Sequence, residues 1–383
     1  MAAHSESTRE KSDTKRTRRL VIACGGTGGH LFPGIAVAED WTRRGGEALL
    51  IISEKQIDSL ATEGYAHLRF ERQKSIAMPP LLSPKIFGFG WTFLKGLLDS
   101  LRLLREFRAD AVLGMGGFTS TAPMVAGKML GLPTFIHESN AIPGRANLLN
   151  AKFSTRVLVG FEACAGHFGS RPVSTVGTPL RPKLTIKPDP VEAKRHFGLE
   201  PIRKTLLVMG GSQGALRLNE LVGEALKEFP VNRIQVLHIT GPQDFEMAKM
   251  AHESAPDGLI TAVVPFCGEM QWALAASDLA VCRSGASTLT ELASYGLPAV
   301  LVPYPFAAHD HQTKNAEIFS EVGAAQLWQQ ADLSAETFSK RLTALLEDDD
   351  GLSKMSQAML AFSTPGASDA ICEVIDKALG SAN

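Results

Sequence analysis

Three glycine-rich turns, each set directly after an apolar run, hold the residues of this chain best suited to a charged ligand. Gly25-Gly26-Thr27-Gly28-Gly29-His30 follows Leu20-Val21-Ile22-Ala23-Cys24, and Gly210-Gly211-Ser212-Gln213-Gly214-Ala215 follows Leu206-Leu207-Val208-Met209. The third turn, Gly114-Met115-Gly116-Gly117-Phe118-Thr119-Ser120, lies in the same half as the first. Glycine lets the backbone turn sharply and approach a ligand, and the free N–H groups at a following helix start suit an anion. Two cradles in one half would hold a diphosphate, or an acceptor that bears one. His30 sits where the first turn becomes a helix, a place from which an imidazole can act as general base near neutral pH.

Three further stretches carry polar groups. His137-Glu138-Ser139-Asn140-Ala141-Ile142-Pro143-Gly144 brings a histidine, a carboxylate and an amide to the end of another strand. Its plainer reading is a loop capped by Glu138 and Asn140. Cys282-Arg283-Ser284-Gly285-Ala286-Ser287-Thr288-Leu289-Thr290-Glu291 opens a helix with small and hydroxyl residues that allow close approach to a phosphate. Glu291, further along, can accept both hydroxyls of a ribose. Asp310-His311-Gln312-Thr313-Lys314-Asn315 is a polar cluster suited to sugar hydroxyls.

The first turn invites a dinucleotide reading, which the spacing weakens. A G-x-G-x-x-G pattern fits Gly26 and Gly28 but requires glycine where the chain has Leu31, although Glu54 stands where a ribose-binding acid would. The turn at Gly210 does not fit the pattern. On the turns alone, dinucleotide binding and tight turns without a ligand both stay open.

The elements that must position these groups alternate. Strands are expected at Leu20–Cys24, Ala48–Ile52, Ala111–Leu113, Thr134–Ile136 and Arg156–Val159, with helical patterns such as Ile35–Arg44 and Leu94–Phe107 between them. A second series is expected at Thr205–Met209, Ile234–Ile239, Leu259–Val264, Leu279–Val281 and Ala299–Val302. Strands alternating with helices predict parallel sheets with right-handed crossovers. Gly177-Thr178-Pro179-Leu180-Arg181-Pro182 and Lys187-Pro188-Asp189-Pro190 read as an interdomain connection. This gives a basic, disordered tail over 1–19, one domain over 20–180, a second over 181–364 and a last helix over 365–383. Local sequence does not fix where that helix packs; the expectation is that it returns to the first domain.

Composition sets the outer limits. The 383 residues suit two domains, and 44% hydrophobic with 21% charged residues supports developed cores. A net charge of −1 gives no general attraction to nucleic acid. Five scattered cysteines without a CxxC pair favour reduced thiols over disulfides or zinc. No apolar run is long enough to cross a bilayer, and the tail lacks the apolar core of a signal peptide.

Taken in order, these motifs resemble the MurG family of glycosyltransferases, whose members make lipid II in peptidoglycan synthesis. The carriers are Gly25–His30, Gly114–Phe118, His137-Glu138-Ser139-Asn140, Gly210–Ala215 and Cys282–Ala286, spread over residues 20 to 380. Ser139 stands where the family commonly has glutamine. The resemblance implies a GT-B α/β fold, two Rossmann-like doubly wound parallel-sheet domains facing a cleft. It implies an inverting transfer of N-acetylglucosamine from UDP-GlcNAc to the C4 hydroxyl of the muramyl sugar of lipid I.

By the same resemblance, Ser212 and its loop contact the donor diphosphate, and Phe266 and Cys267 offer backbone groups to uracil. Ala286, Ser287 and Thr288 line the phosphate and sugar region, with Glu291 on the ribose, Gln312 on the GlcNAc hydroxyls and Arg181 in the donor site. Thr27, Gly28, Gly29 and Asn140 complete that site from the first domain. Gly116 and Gly117 help receive the acceptor diphosphate. A base must help remove the acceptor proton, with His30 the first candidate and Glu138 the second. No cofactor is expected, and no DxD pair is placed to hold a metal.

A lipid acceptor requires approach to a bilayer, which places the enzyme peripherally on the cytoplasmic face of the bacterial inner membrane, with the cell-wall and division machinery as partners. Arg72 to Arg108 carries seven Lys/Arg against two acids. Phe87, Phe89 and Trp91 are the expected contacts with an anionic surface, from a loop ahead of a helix whose leucines face the core. Competing readings are a non-hydrolysing UDP-sugar 2-epimerase, which would leave that segment unexplained, and a non-catalytic lipid-diphosphate binder, which would leave Glu291 and Gln312 idle.

Overall fold

Short apolar runs pair side by side into two parallel sheets in the computed structural model, which describes residues 16–25, 28–54, 63–74, 85–210 and 215–381, and only the backbone at 63, 85–87 and 308. The first sheet contains β1 (Arg19–Ala23), β2 (Glu47–Ser53), β3 (Arg69–Gln73), β4 (Ala111–Gly114), β5 (Thr134–Glu138), β6 (Arg156–Val159) and β7 (Val173–Thr175), in the order β3-β2-β1-β4-β5-β6-β7. The second contains β8 (Lys204–Met209), β9 (Ile234–Ile239), β10 (Ile260–Val264), β11 (Leu279–Cys282), β12 (Ala299–Leu301) and β13 (Ala325–Leu327), in the order β10-β9-β8-β11-β12-β13. This is the two-domain GT-B arrangement.

Helices cover both faces of each sheet, so central strands read as unbroken apolar runs rather than alternating ones. In β1, Leu20 and Ile22 point into one core with Leu31, Ile35 and Trp41, while Val21 and Ala23 point into another with Leu104 and Phe107. The second sheet repeats the division, with Leu207 and Met209 on one side and Leu206 and Val208 on the other. Three strands not named from the sequence, β3, β7 and β13, all lie at sheet edges. With one neighbour each, they need little apolar pattern; β3 is Arg-Phe-Glu-Arg-Gln and mostly half-exposed.

The chain crosses between the sheets twice, and the crossings touch. Gly177 has φ +79°, and a Cβ built there would lie 2.5 Å from the Thr364 side chain, so glycine permits both the conformation and the contact. After Thr364 the final helix, Ala367–Gly380, lies against the helix Gly28–Arg43. Ile371, Cys372 and Ile375 enter the first core, and Arg18–Asp376 (2.6 Å) and Arg44–Asp369 (2.8 Å) flank it.

The helix expected to start at Leu94 runs from Lys85 to Phe107, so the aromatic stretch expected as a loop is helical. Its faces also differ from expectation. Leu97, Leu101, Leu103 and Leu104 pack on the sheet, whereas Leu94 and Leu98 are exposed.

The second domain holds a buried polar chain. Asn219 donates to the Thr240 carbonyl (2.9 Å) and to Asp244 (2.8 Å), so its oxygen accepts from His238 Nε2 (3.0 Å). His238 Nδ1 then accepts from His252 Nε2 (3.0 Å). Burial pushes His238 down to about 3, with its neighbour His252 adding to the effect, and pushes His252 down to about 4. Both are neutral in the fold, while the unfolded chain binds protons near pH 6.5. Their contribution is therefore complete above about pH 6.5 and is lost as pH falls toward 4. Urea midpoints measured between pH 7.5 and 5 should fall with acid, and the slope should be shallower by about one bound proton in His252→Leu.

Candidate functional site

Each sheet reverses its strand order once, between β1 and β4 and between β8 and β11, and ligands of doubly wound sheets sit at the carboxyl ends of strands at such a reversal. Chain continuity then decides what is there. β1 leads into the helix Gly28–Arg43 with His30 in its first turn, and β4 leads into Gly116-Gly117. β8 leads into Gly210, and β11 leads through Arg283-Ser284-Gly285 into the helix Ala286–Tyr295. The two reversals border one cleft of about 1110 Å³.

Most residues singled out from the sequence line this cleft. From the first domain come Gly28, Gly29, His30, Gly117, Glu138 and Asn140, with Arg181 from the connection. The second domain supplies Phe266, Cys267, Ala286, Ser287, Thr288, Glu291 and Gln312. Gly116 lies directly against His30: its φ is +118°, and a Cβ there would sit 2.7 Å from His30 Nε2. Thr27 and Ser212, and the side chain of Phe87, lie outside the described residues.

The segment after β5 is a closed hydrogen-bond system. Glu138 Oε1 accepts from the backbone N–H and the side-chain amide of Asn140, both at 2.9 Å. Oε2 accepts from Gly144 N (3.0 Å) and Asn147 Nδ2 (2.9 Å). With four donors on a buried carboxylate, Glu138 is committed to shaping the loop, which sets it apart from its expected place as second candidate base. His137 donates from Nε2 to the Gly177 carbonyl (2.8 Å), and Ser139 approaches its Nδ1 (3.3 Å). Burial holds His137 below the usual histidine range. It is a neutral tie between the loop and the interdomain connection.

On the opposite wall, the helix Ala286–Tyr295 starts after Gly285 without a side-chain cap, so its first N–H groups are not taken by a capping side chain. Arg181 donates to Glu291 Oε1 from Nε (3.1 Å) and Nη2 (2.7 Å) and lies 4.4 Å above the Phe32 ring. Both bonds end on Oε1, so the second oxygen takes no part in the pair. Gln312 is oriented by Tyr304 N, which donates to its Oε1 (2.9 Å). Arg283 donates to the carbonyls of Val302 and Pro303 (2.9 and 3.0 Å) and to Gln330 (2.7 Å), holding the loop that carries Tyr304. Burial lowers its pKa from the usual arginine value.

Sequence reasoning passed over Asn147 and Phe32, and it placed Asn315 among groups for sugar hydroxyls. Asn315 is instead buried and bonded across the cleft (2.8–3.0 Å). Of the expected membrane contacts, Phe89 is half-buried, stacking on Phe93 (6.3 Å between centroids) and meeting Phe118 edge-on (6.4 Å). Trp91 is 73% exposed.

Residues 20–159 match the glycosyltransferase family 28 N-terminal domain, and residues 205–371 match its C-terminal domain. A UDP-N-acetylglucosamine–N-acetylmuramyl-(pentapeptide) pyrophosphoryl-undecaprenol N-acetylglucosamine transferase of Desulforudis audaxviator is 36% identical over 375 residues, covering 94% of this chain and 99% of that one. The chain belongs to the MurG family. The crystal structure of MurG from Acinetobacter baumannii aligns with a TM-score of 0.73 at 27% identity, over 94% of this chain and 99% of that one. A UDP-GlcNAc 2-epimerase from Neisseria meningitidis aligns at 0.68 but with 14% identity, over 94% and 100%, and so shares the fold.

Within this MurG-family cleft, the contact between Gly116 and His30 gives a direct test. Gly116→Ala adds a Cβ where the imidazole sits and strains a positive φ. Turnover should fall at least about tenfold, because small displacements within a reaction cleft are expensive. Steady-state kinetics alongside a thermal melt separates this from unfolding, which would lower both together.

Proposed function

We infer that this chain transfers N-acetylglucosamine from UDP-GlcNAc to the C4 hydroxyl of the muramyl sugar of lipid I, with inversion, to give lipid II. One observation carries the reading: His30 on the first domain and the uncapped helix start Ala286–Thr288 on the second border the same cleft. A single displacement needs the acceptor hydroxyl and the leaving UDP on opposite faces of the anomeric carbon. The first domain then presents the acceptor and the second holds the donor.

The roles follow from charge. UDP gains negative charge as the glycosidic bond breaks, and N–H groups already aimed from a helix start stabilise it without reorganising. Ser212 and its loop supply donors to the same diphosphate. Glu291 takes the ribose hydroxyls and Gln312 the GlcNAc hydroxyls, while Phe266 and Cys267 receive uracil through their backbone. Thr27, Gly28, Gly29 and Asn140 close the donor site, and Arg181 orients Glu291. Gly116 and Gly117 face the acceptor diphosphate. His30 accepts the proton of the C4 hydroxyl as oxygen attacks, and Glu138 positions Asn140 rather than moving a proton.

His30→Ala should lower kcat by about 10²–10⁴-fold, the range for losing a general base. Calorimetric binding of UDP-GlcNAc should change little, and near-normal turnover would remove His30 from the chemistry. Running the assay with and without a lipid I analogue separates transfer from epimerisation, since UDP release should require the acceptor.

The acceptor is membrane-borne, and we place the membrane contact on the helix Lys85–Phe107. Among the described residues, no helix is long and apolar enough to cross a bilayer. Trp91, Leu94 and Leu98 are 73%, 46% and 58% exposed at helical spacing, with exposed Lys95 and Arg105 on the same helix, where Arg102 is paired with Glu106 (2.6 Å) and Asp99 is also exposed. Apolar groups beside cations fit binding to an anionic surface, here the cytoplasmic leaflet. Sedimentation with anionic liposomes should drop several-fold in a Trp91→Ser, Leu98→Ser double variant, and unchanged sedimentation would rule this face out.

A further inference from the structure

Asn315 is fully buried, yet every hydrogen its side chain can donate goes to a partner in a different segment. Its Nδ2 donates to Asn140 Oδ1 in the first domain (3.0 Å) and to the Ser284 carbonyl in the second (3.0 Å). Its Oδ1 accepts from Ala141 N of the first domain (2.8 Å). Asn140 is gripped from the other side by Glu138, which accepts from both its N–H and its amide. Ser284 precedes the helix start Ala286–Thr288, and its hydroxyl donates to the Gln312 carbonyl (2.7 Å). An unbroken line of hydrogen bonds therefore runs from Glu138 through Asn140 and Asn315 to the backbone that leads into the donor-side helix.

We propose that Asn315 is a positioning residue for the transfer, setting the acceptor-side loop and the donor-side helix start in register across the cleft. This rests on the transferase reading above. Both walls carry reacting groups on separate domains, and no single domain can hold their spacing. A neutral amide suits this position because it offers two donors and one acceptor in one plane, and its partners are two oxygens and one N–H. A carboxylate there would face two carbonyl oxygens. A shift of about 1 Å between such groups is worth about a hundredfold in rate.

The test compares Asn315→Ala, Asn315→Asp and Asn315→Ser by kcat with a lipid I analogue, by calorimetric Kd for UDP-GlcNAc and by thermal melting. Serine is the second variant: a small polar side chain too short to span from Ser284 to Asn140, it should lose kcat as alanine does if the link is what matters. The expected result is a 10- to 100-fold fall in kcat in the alanine and aspartate variants, with Kd for UDP-GlcNAc within about threefold. Combining Asn315→Ala with Asn140→Ala should cost no more in kcat than the worse single change, since both break one link. Unchanged kcat, Kd and kcat falling together with Tm, or additive losses in the double variant would overturn the proposal. Absence of acceptor-dependent turnover in the unaltered protein would instead overturn the transferase reading.

Discussion

Everything at this site depends on one constraint of parallel sheets: strands deliver their following loops to a single edge. Where strand order reverses, neighbouring loops part and leave a crevice. Both sheets here meet that condition, at β1/β4 and β8/β11, and the two crevices open into one cleft. A transfer reaction gains from such an arrangement, because donor and acceptor can then be bound by different domains. The similarity of the glycine turns at Gly25 and Gly210 is architectural. His30 borders the first, while the uncapped helix start at Ala286 lies one strand away from the second.

The cleft walls divide their polar groups by function as well. Glu138 receives four hydrogen bonds from N–H donors, two on each oxygen. Such a group holds a loop firmly, since hydrogen bonds to an ionised carboxylate are the stronger kind. Glu291 differs, with both bonds from Arg181 falling on one oxygen. Arg181 is supported beneath by the Phe32 ring, which orders the guanidinium without neutralising it. One carboxylate is consumed by structure and the other is half-committed, the first closing a strand and the second lying in the helix that follows one.

The sequence made the central strands and the turns legible because their causes are local. Leu20–Ala23 and Leu206–Met209 are apolar on both faces, and the glycines that follow mark where the chain must turn. β3 was not legible, because an edge strand such as Arg69–Gln73 needs neither an apolar face nor a full set of ladder partners. The start of the helix at Lys85 was hidden by Gly88 and Gly90, which lower helix propensity within an otherwise helical face. Asn315 was read with its polar neighbours as a ligand group, since nothing between Asp310 and Asn315 reports that the other domain covers that one position. Glu138 was half legible: its bonds to Asn140 and Gly144 are the loop capping that the segment suggests, whereas its partner Asn147 lies beyond that segment.

The interface between the domains is strong where the chain crosses and light where substrates enter. At the crossings, Gly177 lies against Thr364 and His137 is bonded to the Gly177 carbonyl, so the two passes of the chain are tied to each other and to the first domain. Across the cleft, the contacts are hydrogen bonds: Ser287 to the Gly29 carbonyl (3.3 Å), Arg145 to His309 (2.9 Å) and the set around Asn315. Bonds of this kind contribute on the order of 1 kcal/mol each. A handful can fix the spacing of two walls without locking them, which is what a cleft must allow if UDP is to leave after every transfer.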